Sequence, residues 1–140
     1  PMKKPLLALL LTVAGLGLGG GAGYATQLLL SPAREAENPV FVPVERLLAP
    51  LVDREGRLTG YTRFEIALEV PQAREAFVRA RLPLLLHAVN LRTFRTPLAS
   101  GRDGQLPNID MIRRVVASAA PEAFGRGVVR RVTITQAVPA

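Results

Sequence analysis

The sequence predicts an α+β fold, in which an N-terminal transmembrane helix precedes a small β-β-α-α-β domain with its helices packed on one face of an antiparallel sheet. Three observations predict it. Residues 5–30 carry no charge, and a later segment alternates apolar and polar residues as a half-buried strand does. Two further segments space their apolar residues as one face of a helix. A sheet covered by one layer of helices buries each of these apolar faces once.

The uncharged segment Pro5–Leu30 lies between Lys3-Lys4 and Arg34. With a rise of about 1.5 Å per residue, a helix of this length could cross a hydrocarbon core of about 30 Å. The two lysines favour a cytoplasmic N-terminus and a translocated C-terminal part. We therefore expect residues 1–30 to be a cytoplasmic tail and anchor, residues 31–39 a linker, and residues 40–140 a periplasmic α+β domain.

The same segment is compatible with a signal peptide. Gly23-Tyr24-Ala25 has the small-x-small pattern of a cleavage site, and cleavage after Ala25 would release a secreted soluble binding protein. Leu28, Leu29 and Leu30 would then leave an apolar new N-terminus, which favours the retained anchor.

Small residues recur inside the proposed anchor, because Gly15, Gly19 and Gly23 lie four positions apart. This spacing places them on one helix face, where two helices can approach closely. The interpretation is helix packing with a second copy or a membrane partner; the alternative is a glycine-rich signal sequence without an interface.

A β-hairpin is predicted at the start of the domain. Val40–Leu51 is apolar but contains Pro43 and Pro50, so we expect an edge or broken strand. Asp53-Arg54-Glu55-Gly56 predicts a turn. In the second strand, alternate positions are apolar: Phe64, Ile66, Leu68 and Val70.

Two helical segments and a last strand follow. Gln72–Thr96 is predicted to be helical with a kink or break near Arg79–Pro83, because a proline inside a helix removes a backbone hydrogen bond. The inward face of this segment is predicted from the steps of three, four and seven between Phe77, Leu84, Ala88, Leu91 and Phe94–Arg95.

After a loop at Pro97–Pro107, a second helix is expected to begin with Asn108 as its N-cap and to end at Pro121. Its predicted inward residues are Ile109, Ile112, Val115, Val116 and Ala119. The last strand is predicted at Val128–Val138, with Val128, Val132, Ile134 and Val138 on its buried face.

The sequence indicates no catalytic, metal or cofactor site. His87 is the only histidine and cysteine is absent, so a metal site would depend on carboxylates that are not spaced near His87. Glu65 and Glu69 lie about 13 Å apart along a strand, too far for a glycosidase pair, and are expected to contact Arg63 or solvent. Gly101–Gly104 lacks the lysine and hydroxyl of a phosphate loop. The serines Ser31, Ser100 and Ser118 lie in no nucleophile elbow. We expect a non-enzymatic protein without cofactors; the minor alternative is a hydrolase whose fold joins His87 to a serine or a carboxylate.

The formal net charge of +7 favours an acidic protein partner or an anionic membrane lipid surface. The arginines alternate with acidic residues, which argues against nucleic acid. A basic patch for a partner is one interpretation, and an ordinary solvated face is the other, for Arg113, Arg114, Arg126, Arg130 and Arg131.

Several segments resemble the FliL family of flagellar basal-body proteins: Phe41-Val42-Pro43, Gly60-Tyr61, Phe64–Val70, Arg81-Leu82-Pro83 and Gly127–Gln136. The resemblance covers nearly the whole chain and rests on architecture. It implies a non-enzymatic, single-pass bacterial inner-membrane protein with a periplasmic interaction domain. It further implies a homo-oligomer that contacts a stator-like, membrane-embedded partner in bacterial motility and chemotaxis.

Overall fold

The main sheet has three antiparallel strands in the order β1-β2-β5. They are β1 (Pro39–Val52), β2 (Leu58–Pro71) and β5 (Arg131–Pro139). The structure is a computed structural model that describes residues 36–140, and Asn38–Ala140 form one compact unit. Pro39, which we expected in the linker, is thus the first residue of β1.

The predicted hairpin is confirmed, and β2 is the central strand. The predicted alternation along it is confirmed as well, since Phe64, Ile66, Leu68 and Val70 are all buried. At the turn, Gly56 has a φ of 80°, a conformation that glycine adopts without steric cost.

Strand β1 lies at one edge of the sheet, as its prolines predict. Its pairing with β2 shifts between Val44 and Leu47, so Glu45 and Arg46 form a bulge. Arg46 has a φ of 63°, a left-handed conformation that is uncommon outside glycine.

The first helical segment is broken where Pro83 predicted it. A 3-10 turn (Gln72–Arg74) leads into α1 (Glu75–Ala80), and a separate helix α2 (Leu82–Thr93) follows. Pro83 lies in the first turn of α2, where backbone N–H groups have no acceptor within the helix, so the absence of an N–H costs no helical hydrogen bond.

The predicted inward face of α2 is wrong for three of its residues, because Leu84, Leu91 and Phe94 are 53%, 54% and 61% exposed. The helix instead buries Leu85, Ala88, Val89 and Thr93. The consecutive leucines at 84–86 allow the helix two orientations, and packing against helix α3 (Ile109–Phe124) and β1 selects the one that turns Leu85 inward.

The predicted loop Pro97–Pro107 contains a short hairpin of β3 (Ala99–Ser100) and β4 (Leu106–Pro107). Helix α3 begins where expected, and the Asn108 side chain accepts a hydrogen bond from the Met111 N–H at 3.0 Å. Of the predicted inward residues, Ile109 is half-buried and the other four are buried.

Helix α3 does not end at Pro121, which lies inside it on the exposed side. The helix continues to Phe124, because the carbonyl group that proline leaves without a helical donor belongs to Ala117, which is exposed. The Gly125 N–H then donates to the Pro121 carbonyl oxygen at 2.9 Å and closes the helix.

The predicted last strand is shorter at its start and has a bulge that the sequence did not indicate. The pairing of β2 with β5 shifts at Thr135, so Ala137 lies opposite Phe64 and Val138 lies opposite Arg63. One extra residue exchanges the two faces of a strand. The predicted inward position of Val138 is therefore wrong, and Ala137 packs against the core instead.

Apart from Pro50, the buried residues of β1 and β2 belong to one face of the sheet, and helices α1, α2 and α3 lie over it. Within residues 36–140, no helix combines the length and apolarity that crossing a bilayer requires. The proposed anchor Pro5–Leu30 lies outside the described residues.

Candidate interaction surface

Helix α2 is apolar on both of its long sides. Its buried side holds the hydrophobic core, while Leu84, Leu91 and Phe94 extend along the outer side. These positions lie seven and three residues apart, so they follow one another over about 15 Å of helix. We call these three residues, with the exposed His87 between them, the α2 face. A helix with apolar residues on two opposite sides is normally covered on both, which makes the α2 face a candidate contact surface.

One end of the α2 face adjoins an ion pair between two helices. The Arg92 guanidinium lies 2.9 Å from the Glu122 carboxylate on α3 and also donates to the Ala88 carbonyl oxygen at 3.0 Å. Leu91, Arg95 and Thr96 join this pair in lining a shallow depression of about 410 Å³. A partner would thus meet an apolar surface with a charged border.

Near the other end, two arginines lie close to the Phe77 ring. The guanidinium carbon of Arg81 is 4.5 Å from the centre of this ring, and that of Arg74 is 5.4 Å away. Guanidinium groups at these distances are attracted to the ring face. Both ends of the α2 region therefore carry positive charge.

The outer face of the sheet is a second exposed surface with apolar side chains. Phe41 is 58% exposed, Leu48 50% and Tyr61 42%. Phe41 lies opposite Glu69 and Leu48 opposite Arg63, whereas Tyr61 lies opposite Pro50, so two of the three adjoin a charged residue across the hairpin. This face is more polar than the α2 face, as is usual for a solvated side of an antiparallel sheet.

A cleft of about 710 Å³ lies between the β1–β2 turn and the loop between β3 and β4. The Asp53 carboxylate in its lining accepts hydrogen bonds from the backbone N–H groups of Glu55 and Arg57 and from the Arg57 side chain. These contacts lower the pKa of Asp53 from its ordinary 3.8, and the hydrogen bond from the Arg57 backbone N–H is the main cause. This arrangement stabilises a turn and keeps the carboxylate charged.

The five arginines of the predicted basic patch fall into two groups. Arg113 and Arg114 lie on the first half of α3, and the other three follow the end of that helix. About 15 Å of helix separates the groups. Arg113 lies 2.8 Å from Asp110, and Arg131 lies 3.4 Å from Glu69, so each of these two contacts a carboxylate.

The other candidate residues make contacts within the fold. We expected Glu69 to contact Arg63 or solvent, but it contacts Arg131 on the neighbouring strand. The Ser100 and Ser118 hydroxyls donate to the carbonyl oxygens of Leu106 and Val115. Within residues 36–140, no three histidine or acidic side chains are placed to hold a metal ion. The glycines Gly15, Gly19 and Gly23 lie outside the described residues.

Sequence reasoning missed the α2 face, since it assigned these residues to the core. The signal that could have found it is the excess of leucine at positions 82–91, which one buried side cannot accommodate. No protein-family model, curated protein or solved structure matches this chain. The functional argument therefore rests on the surfaces described above.

Proposed function

We propose that this chain is a single-pass bacterial inner-membrane protein whose periplasmic α+β domain binds another protein through the α2 face. The observation that carries the proposal is the exposure of Leu84, Leu91 and Phe94 in one row on a helix whose opposite side is fully packed. Burial of apolar surface contributes about 25 cal/mol per Å², so covering this row would favour binding.

The membrane location is supported by the uncharged segment Pro5–Leu30 and the lysines before it. The short linker that follows spans at most about 30 Å when extended, which keeps the domain near the bilayer. A partner that is itself embedded in the membrane would lie within this reach.

The chemistry of the partner follows from the border of the α2 face. Arg81 and Arg95 are exposed there, whereas Arg92 is held by Glu122. An apolar surface with an acidic border on a membrane protein fits best, and anionic lipid headgroups nearby would add to the attraction. The resemblance to FliL-type proteins supports a stator-like partner in a flagellar basal body.

A second candidate is a secreted periplasmic binding protein released by cleavage after Ala25. The observation that favours it is the small-x-small sequence Gly23-Tyr24-Ala25. In this case the α2 face would bind a partner without holding it at the membrane.

Fractionation of the full-length protein from bacterial cells separates the two candidates. The first predicts that the chain stays with the membrane after alkaline washing, that its C-terminal domain is digested by protease added to the periplasm, and that its N-terminus is intact. The second predicts a soluble protein that begins at Thr26. Recovery of the full-length chain from the cytosol, with an intact N-terminus, would contradict both.

A further inference from the structure

The two edges of the sheet differ in their capacity to accept another strand. At the start of β1, the Asn38 carbonyl oxygen accepts a hydrogen bond from the Gln72 N–H. Because backbone groups alternate in direction along a strand, the N–H and C=O groups of Val40 and of every second residue up to the bulge point toward β2. Pro39 and Pro43 alternate with these residues, and Pro50 takes the same role beyond the bulge. All three prolines therefore lie where a N–H would point away from the sheet. Together with the bulge at Arg46, they leave this edge few donors for pairing.

The edge of β5 is less protected, because its bulge at Thr135 and its outward-facing Pro139 lie in its second half and residues 131–134 contain neither. The Ala140 N–H donates to the Tyr61 carbonyl oxygen, which fixes the residues of β5 that face β2: Arg131, Thr133, Gln136 and Val138. Val132, Ile134 and Ala137 lie between them and direct their backbone N–H and C=O groups away from the sheet. Among the described residues, no strand pairs with this side of β5.

We propose that the free edge of β5 pairs with β5 of a second copy of this chain, antiparallel about a two-fold axis at Thr133. In this register, Val132 faces Ile134 of the second copy and Ile134 faces Val132 of the second copy. Each is a hydrogen-bonded pair that exchanges both N–H···O bonds. The two three-stranded sheets then form one continuous six-stranded sheet.

The side chains of β5 fit a copy of the same strand. Residues 132–140 carry no charge, so self-pairing brings no like charges together there, and Arg131 is held by Glu69 at 3.4 Å. The segment Val132-Thr133-Ile134-Thr135 is rich in residues that favour strands. Ile134 and Ala137 are only partly buried against the core, so a second copy would cover the apolar surface that they still expose. A charged partner strand would gain no complementary charge from this edge.

Single cysteines test the pairing directly, because the chain has none of its own. Thr133→Cys in the full-length protein places two cysteines at the two-fold axis, about 4.5 Å apart at Cα, where a disulfide can form. Ala67→Cys is the matched control, since Ala67 lies beside Thr133 on the same face of the sheet, one strand further from the axis. Its copies would be about 14 Å apart, too far for a disulfide.

Mild oxidation should convert the Thr133→Cys protein to a disulfide-linked dimer and leave Ala67→Cys monomeric on a non-reducing gel. Equal dimer from the two variants, or no dimer from Thr133→Cys, would overturn the proposal. This surface is separate from the α2 face, and the gel does not depend on membrane location. The inference and the proposed function can therefore fail independently.

A charge at the axis gives a second test that needs no disulfide. Two Thr133→Lys chains would place like charges directly opposite each other, and we expect the dimer dissociation constant to rise roughly fivefold. A mixture of Thr133→Lys and Thr133→Glu chains should restore the dimer, and Ala67→Lys should have little effect. Sedimentation of the full-length protein in detergent measures each case, and an unchanged dissociation constant for Thr133→Lys would overturn the pairing.

Discussion

The Thr59 hydroxyl lies 2.6 Å from the Gly104 carbonyl oxygen, although 45 residues separate the two in sequence. The same hydroxyl lies 3.0 Å from the Leu51 carbonyl oxygen, so one side chain joins β1, β2 and the loop between β3 and β4. This contact closes one side of the cleft beside the hairpin turn. It ties a loop of glycines and charged residues to the sheet.

Replacing Thr59 by valine should lower the free energy of unfolding by about 1 kcal/mol, because valine keeps the shape and removes the hydroxyl. Thr59→Ser is the control, since it retains the hydroxyl and should recover most of that loss. Urea unfolding of both variants measures the difference. Equal stability of Thr59→Val and the unchanged protein would mean that this hydrogen bond contributes nothing.

Two glycines with similar backbone angles provide a matched pair. Gly56 has a φ of 80° with no atom within 4 Å of an added Cβ, whereas Gly104 has a φ of 64° and an added Cβ would lie 3.0 Å from Thr59 Cγ2. Gly56→Ala should therefore cost about 1 kcal/mol from backbone strain alone. Gly104→Ala should cost more, because the same strain is joined by the contact with Thr59. Thermal unfolding compares them, and the reverse order would contradict this packing.

The lowered pKa of Asp53 predicts that this residue makes a small contribution to stability that is lost in acid. Its folded-state pKa is lowered from 3.8, chiefly by the Arg57 backbone N–H, so its contribution is complete above that pH and is lost as the pH falls through the lower folded value. Asp53→Asn removes the titrating group. Between pH 5 and about 2, the unchanged protein should lose more stability than Asp53→Asn does in paired urea titrations. Parallel pH curves would exclude this role.

The α2 face predicts that its residues contribute little to folding. Leu91→Gln should change the free energy of unfolding by no more than about 0.5 kcal/mol, as is usual for exposed positions. Leu85→Ala, on the buried side of the same helix, should cost about 2–5 kcal/mol. Chemical unfolding of the two variants decides the orientation of α2. A large loss of unfolding free energy for Leu91→Gln would mean that Leu91 is buried in the core.

The strands show why part of the fold could be predicted from sequence. A strand repeats every two residues, so Phe64 and Ile66 can face inward in one way only, and both are buried. Pro83 predicted the helix break for a similarly local reason, its missing N–H. The bulge at Thr135 depends on how β5 pairs with β2, and no residue in β5 marks it beforehand.

The candidate site was harder to predict, because exposure is a property of packing. Leu84 and Leu85 are equally apolar, yet the contacts of α2 with α3 and β1 bury one and expose the other. The predicted basic patch also depends on the fold, because residues that are close in sequence can lie far apart in space. Arg113 and Arg126 are close in sequence, but α3 extends between them and separates them.

The most direct test of the central claim uses a photoreactive amino acid in place of Leu91 in the full-length protein, in the membranes of its own cells. Arg114, which is exposed on α3, is the control position. The account predicts that illumination links residue 91, and not residue 114, to one discrete membrane-protein partner. Absence of an adduct from position 91, or the same adducts from both positions, would contradict it.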